Sequence, residues 1–225
     1  MIVIVLAETA LETVPREIAD HPSVKRLAEK KGKVPTSTLL DMSYHYTAMR
    51  DLREWNKRGR PDIPYITLLT LLESPLNKEG RLSIYVHTAR DFIISLDPKV
   101  KLPRNYTRFE GLIEQLFEVF KVPPKGKPLM TLKKGTLKDL IRVVGPSRTF
   151  FLTENGRKTK VETFAKKAVK EDRPLIVIGG FQRGEFSDEN LKLADEKLSV
   201  YKEPLDAWVV AGIIAHELER ALDIL

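Results

Sequence analysis

Arg60, Pro61 and Asp62 stand at the edge of a cationic run, KRGRPDIPYITLL, and apolar residues follow them directly. A guanidinium and a carboxylate two positions apart, with a rigid proline between, offer two chemistries. The carboxylate can lock the guanidinium through charge-assisted hydrogen bonds and aim it at a ligand. It can instead take a proton as a general base. Orientation is the favoured reading, because a carboxylate already engaged by a guanidinium makes a poorer base. A third and plainer use of Asp62 is to cap the helix that follows.

A second cationic group lies in KLPRNYTRFEGL. Arg104 and Arg108 are four apart across the start of a helix, and Lys101 lies three before Arg104. Cations gathered at a helix N-terminus suit phosphate; a solvated basic face is the alternative. Tyr106, between the arginines, is expected to pack rather than to stack on a base.

Two further stretches could hold a ligand through their backbone. LIVIGGFQRGEF is an apolar strand that stops at Gly179-Gly180, with Gly184 beyond. Open α/β sheets bind ligands at such carboxyl ends. The spacing is not that of a dinucleotide fingerprint, which argues against a nicotinamide-dependent oxidoreductase. SVYKEPLDAW is a second strand that empties into Lys202-Glu203-Pro204-Leu205. Two such loops can sandwich a flat ligand such as adenine, with Val200 and Leu205 over its faces. Two ordinary strand–helix loops would read the same way. His45, His87 and His216 are scattered, and no pair shows metal-ligand spacing.

The elements that must position these residues alternate. IVIVLAE (2–8) reads as a buried parallel strand. Residues 21–38 are polar and cationic, a surface excursion. LLDMSYHYTAMRDL holds a short helix with Asp41 as its cap, and ITLLTLLESPL a helix stopped at Ser74-Pro75. RLSIYVHT and FIISLDP are strands. RFEGLIEQLFEVF (108–120) is an amphipathic helix, followed by a Pro/Gly/Lys-rich loop (121–128). A helix from Thr136 closes at Gly145. RTFFLTENG (148–156) is a strand ending in a turn, and VETFAKKAVK a short helix. The two ligand-holding strands follow, then a long helix over 206–222. The alternation predicts an α/β fold with a mainly parallel sheet and helices on both faces.

The 225 residues are 42% hydrophobic, enough for a sizeable core, and no run of about 18 apolar residues suggests a membrane span. The short apolar start has no cationic residues before it and reads as a strand rather than a signal peptide. There is no cysteine, which excludes disulfides, thiolate metal sites and a cysteine nucleophile, and fits a cytoplasmic setting. The net charge of +7 favours a polyanionic partner.

RGRPDI (58–63), LLESPLN (71–77), IYVHT (84–88), LPRNYTRFEGL (102–112), IGGF (178–181) with Gly184, and SVYKEPLDAW (199–208) occur in that order. Together they resemble the ribosome-biogenesis pseudouridine methyltransferases of archaea and eukaryotes, of the SPOUT class. The resemblance runs from residue 2 to about 215. RGRPD and LPRNYxRF are its most specific parts. It implies one SPOUT domain over 1–225, with family-specific insertions at about 21–55 and 81–100 and a C-terminal trefoil knot. It implies a homodimer that uses S-adenosylmethionine to methylate N1 of a pseudouridine in small-subunit rRNA, acting beside other ribosome-assembly factors. The rival within the same resemblance is an rRNA-binding assembly factor whose methyl transfer is dispensable. Carried residue by residue, the cofactor site becomes Thr153, Gly179, Gly184, and Val200, Tyr201, Lys202, Glu203, Pro204 and Leu205. The RNA contacts become Arg60, Lys101, Arg104 and Arg108, with Asp62 at the catalytic centre. Lys101 stands where arginine is expected in some relatives; lysine keeps the charge but lacks the bidentate fork.

Overall fold

The computed structural model describes the whole chain, Met1–Leu225. Strand β1 (Ile2–Thr9) is buried at every position, as its β-branched run requires of a strand covered on both faces. The excursion after it is more ordered than its composition suggests. Helix α1 (Pro22–Lys31) is capped by the His21 ring, ends at Gly32 in the left-handed region and buries Val24 and Ala28. Helix α2 (Met42–Met49) is capped by Asp41, whose carboxylate accepts from the Ser43 N–H. Helices α3 (Asp62–Leu72) and α4 (Pro75–Lys78) meet at Ser74, which caps α4.

Strands β2 (Leu82–Thr88) and β3 (Phe92–Leu96) pair antiparallel. Helix α5 (Tyr106–Val119) is capped by Asn105. Two short strands then appear where only a loop was expected, β4 (Lys121–Val122) and β5 (Met130–Lys134). Helix α6 (Leu137–Val144) carries a capping box of Thr136 and Asp139 and closes at Gly145. The chain continues through β6 (Arg148–Lys158), α7 (Val161–Ala168), β7 (Pro174–Gly179), α8 (Asp188–Leu191), β8 (Glu196–Ser199) and α9 (Ala207–Ala221).

All strands join one sheet in the order β4-β5-β3-β2-β1-β7-β6-β8. From β2 to β8 every pairing is parallel; β3, β5 and β4 extend the sheet antiparallel. Residues 81–100, expected as an insertion, therefore include a central strand: β2 pairs directly with β1. Alternate residues of β1 face opposite layers. Ile4 and Leu6 join a core with Leu68 of α3, Phe109 of α5, Phe164 of α7 and Ile214 of α9. Val3 and Val5 join another with Leu137 and Leu140 of α6. Helices thus cover both faces, as expected.

Strand β6 does not end in the predicted turn. Leu198 of β8 pairs with Leu152 and again with Arg157, so residues 153–156 bend around β8. A Cβ on Gly156 would lie 2.5 Å from the Leu198 backbone, so only glycine allows that approach.

Candidate active site

The bend in β6 and the carboxyl ends of β7 and β8 open into a cleft of about 540 Å³. Leu152, Ile178 and Leu198 give it an apolar floor, and the loops after the strands form its walls. Thr153, Gly179, Gly184, Val200, Tyr201, Glu203, Pro204 and Leu205 all line it. Lys202 does not; its exposed ammonium lies 3.6 Å from Glu203. The size, the apolar floor and the polar walls suit a nucleoside-sized ligand, which has a flat base and a polar sugar.

The loop walls are held by polar contacts that reading the sequence missed. Glu185 accepts from the Thr153 hydroxyl and, at 3.2 Å, from the Asn155 amide. Its other oxygen accepts from the Phe186 N–H at 2.9 Å. The Ser199 hydroxyl donates to the Tyr201 carbonyl at 2.8 Å and shapes the next loop. Gly184 sits at φ 98°, which favours glycine. Gly180, which the sequence marks as part of the strand end but not as a cofactor residue, has the least room: a Cβ there would lie 2.3 Å from Thr9 Oγ1 and 2.8 Å from Thr9 Cα. Crowding by β1, rather than a ligand, demands that glycine.

Arg60 enters the same cleft from the segment just before α3. Its Nε donates to Asp62 Oδ1 at 2.8 Å and its Nη2 to Oδ2 at 2.6 Å, a bidentate pair. That bond to Asp62 is the main reason the guanidinium pKa is raised. Asp62 makes no capping bond to α3, because its carboxylate is turned to Arg60. Backbone bonds tie this segment to the cleft. The Arg60 N–H donates to the Ala10 carbonyl at 3.2 Å, Ala10 to Gly180 at 3.0 Å, and Gly180 to Ala7 at 2.8 Å.

Arg60 also borders a second depression of about 410 Å³, with Asp41, Ser43, Asp62 and Tyr106. The Tyr106 hydroxyl donates to Asp41 Oδ2 at 2.6 Å, and its ring packs 5.6 Å from that of Tyr65, so packing prevails over stacking. Burial first, and then Asp41, push the Tyr106 phenol above its usual range. Beneath them His45 is buried, and its Nδ1 accepts from the Asp41 N–H at 3.1 Å. Burial lowers its pKa to about 4. Lys101, Arg104 and Arg108 are exposed at the start of α5. They line neither depression and form no ion pair. Along the chain they flank Tyr106. His87 is buried on β2, where its Nδ1 accepts from the Glu8 N–H and its Nε2 lies 3.0 Å from Asp91. His216 is exposed on α9.

The family model described as EMG1/NEP1 methyltransferase matches residues 4–219. The chain belongs to that family. The ribosomal RNA small subunit methyltransferase Nep1 of Staphylothermus marinus is 44% identical over 223 residues, covering 99% of this chain and 96% of the relative. The protein of the same description from Pyrococcus furiosus is 42% identical over 218 residues, covering 96% of each. Among solved structures, Archaeoglobus fulgidus Nep1 bound to S-adenosylhomocysteine superposes with a TM-score of 0.87 at 34% identity, over 98% of each chain. The fold class expected from the sequence is thus the fold of an EMG1/NEP1 methyltransferase.

Proposed function

We propose that this protein transfers the methyl group of S-adenosylmethionine to N1 of a pseudouridine in small-subunit rRNA, during biogenesis of that subunit. The observation that carries the reading is convergence. Arg60, from the RGRPD motif, lines the same cleft as Gly179, Gly184 and Leu205. The group suited to RNA and the loops suited to the methyl donor share one space. The relatives' names and the S-adenosylhomocysteine bound to the Archaeoglobus protein support both partners.

S-adenosylmethionine, when bound, would supply an electrophilic methyl on its sulfonium, leaving S-adenosylhomocysteine as N1 is methylated and its proton passes to solvent water. The chain's own residues bind and orient. Backbone groups of 199–205 read the adenine edge while Val200 and Leu205 cover its faces. Arg60, braced by Asp62, holds the nucleotide in line with the methyl, and proximity supplies much of the rate. Asp62 acts through Arg60 and is a positioning residue. Lys101, Arg104 and Arg108 hold phosphates. The bend of β6 around β8 supports a C-terminal knot. Homodimer formation is supported by apolar side chains on the outer face of α3 and α9: Ile66, Val209 and Ile213 are each more than one-third exposed.

The test is methyl transfer to a short rRNA hairpin carrying pseudouridine, beside the same hairpin with uridine. Transfer is expected on pseudouridine alone, because the glycosidic nitrogen of uridine has no proton to replace. Transfer to the uridine control defeats the N1 assignment. Failure of calorimetry to detect S-adenosylmethionine binding turns the protein into an rRNA-binding assembly factor.

A further inference from the structure

Three residues before Arg60, Lys57 reaches behind the cofactor cleft. Its ammonium donates to the Glu185 carbonyl, lies 4.8 Å from the centre of the Phe181 ring and is 3.7 Å from Glu8 Oε2. Its stem lies against Gly184, where an added Cβ would stand 3.0 Å from Lys57 Cε. One lysine thus touches the 181–185 loop at three places. Both it and Glu8 are largely withdrawn from solvent.

Glu8 holds the rest of that loop. Its Oε1 accepts from the Ser187 N–H and hydroxyl, both at 2.7 Å, and from the Asn190 amide at 2.8 Å. It does so from the carboxyl end of β1 with φ 50°, a left-handed backbone uncommon outside glycine. The segment that carries Lys57 is itself fixed. Arg58 makes two 2.7 Å bonds to buried Glu12, and the Arg60 N–H is bonded to Ala10.

We infer that Lys57, with Glu8, is a positioning residue that couples methyl-donor binding to RNA binding. The back of the Gly184 loop and the root of Arg60 are gripped by one side chain and its neighbours. A ligand that orders the loop from the front also orders the segment that aims Arg60. RNA then meets a guanidinium already in place and loses less freedom on binding. The coupling must be reciprocal. The inference rests on the methyltransferase reading above.

The experiment measures affinity for the pseudouridine hairpin by fluorescence anisotropy, with and without saturating S-adenosylhomocysteine. In the wild-type protein the cofactor product is expected to tighten RNA binding about fivefold or more, the lower end of ordinary coupling. Lys57→Met is expected to reduce that ratio below about twofold and to weaken S-adenosylhomocysteine binding in calorimetry, and Lys57→Arg to restore much of both. Lys31→Met removes another partly buried lysine, one that pairs with Glu114 and lines neither depression, and is expected to keep the wild-type ratio. Glu8→Gln keeps an oxygen for the loop but loses the attraction to Lys57; an intermediate ratio is expected, and it carries the test should Lys57→Met not fold. A wild-type ratio in Lys57→Met, or an equal loss in Lys31→Met, overturns the inference. So does a wild-type ratio of one, while methyl transfer by the same protein leaves the functional reading standing. Wild-type protein that binds no S-adenosylhomocysteine defeats both.

Discussion

The molecule has two cationic regions built on opposite principles, one that carries Arg60 and one that carries Lys101, Arg104 and Arg108. Around residues 57–60 each cation has a fixed partner: Lys57 has the Glu185 carbonyl, Arg58 has Glu12, and Arg60 has Asp62. Around residues 101–108 the cations are exposed and unpaired, on the first turn of α5 and the loop before it. In the first region contacts within the fold set each cation's direction, and Arg60 can be aimed at one nucleotide. The second region keeps its side-chain freedom and suits a phosphate chain of any sequence. Precision and reach are thus assigned to different segments.

The sharpest way to break this contrast is at Arg60. Arg60→Ala is expected to lower kcat/KM on the pseudouridine hairpin by about a hundredfold, the scale of losing near-attack alignment. Asp62→Asn should lose RNA affinity along with it, and the double variant should be no worse than Arg60→Ala alone. If Asp62→Asn instead keeps RNA affinity, abolishes transfer and moves the pH profile, Asp62 is the base and the contrast fails at its centre.

A smaller effect compares two glycines. Gly180→Ala forces a Cβ into Thr9 and should cost about 1–3 kcal/mol. For a chain of this length each kcal/mol lowers Tm by about 2–4 °C. Because Gly180 is bonded through Ala10 to Arg60, RNA affinity should fall with it. Gly111→Ala lies on α5 in the freer region, where nothing stands within 4 Å, and should gain about 0.5–1 kcal/mol in thermal denaturation.

Acid should separate the regions as well. His45 supports Asp41 under the Arg60 depression, and burial lowers its pKa from 6.5 to about 4. Between those values the unfolded chain binds a proton that the folded chain does not. Stability therefore falls as pH drops from 6.5 towards 4. Denaturant titrations of His45→Gln should show a flatter acid limb over that window; an unchanged limb would remove His45 from the account. The smallest effect is expected at Lys101. Lys101→Ala should weaken cognate and scrambled hairpins alike and flatten the salt slope by about one. Selective loss on the cognate hairpin would move Lys101 into the precise region.

Local patterns made much of this legible. The run IVIVLAE announced a strand buried on both faces, and Thr136 and Gly145 bounded α6 as a cap and a stop should. Other elements were hidden for physical reasons. Helix α1 buries only Val24 and Ala28, so its cationic remainder masks the period. Strands β4 and β5 are two and five residues long and depend on the edge offered by β3. Strand β6 extends to Lys158 because β8 pairs with it twice, a partnership invisible in either segment. Within the site, no local pattern marks Glu185 or Lys57, whose partners lie 32 and 128 positions away.

The sequence by itself determined the element types, most of their ends, the cationic character and the identity of the chemistry-bearing motifs, because periodicity and capping act over a few residues. Only the tertiary structure decided that Arg60 and Gly180, 120 positions apart, are joined through Ala10 by two backbone hydrogen bonds. It alone decided which glycine lacks room for a Cβ and which carboxylate each cation meets. Those outcomes depend on strand order and register, which are set by how distant apolar faces pack and leave no mark in any short window of the chain.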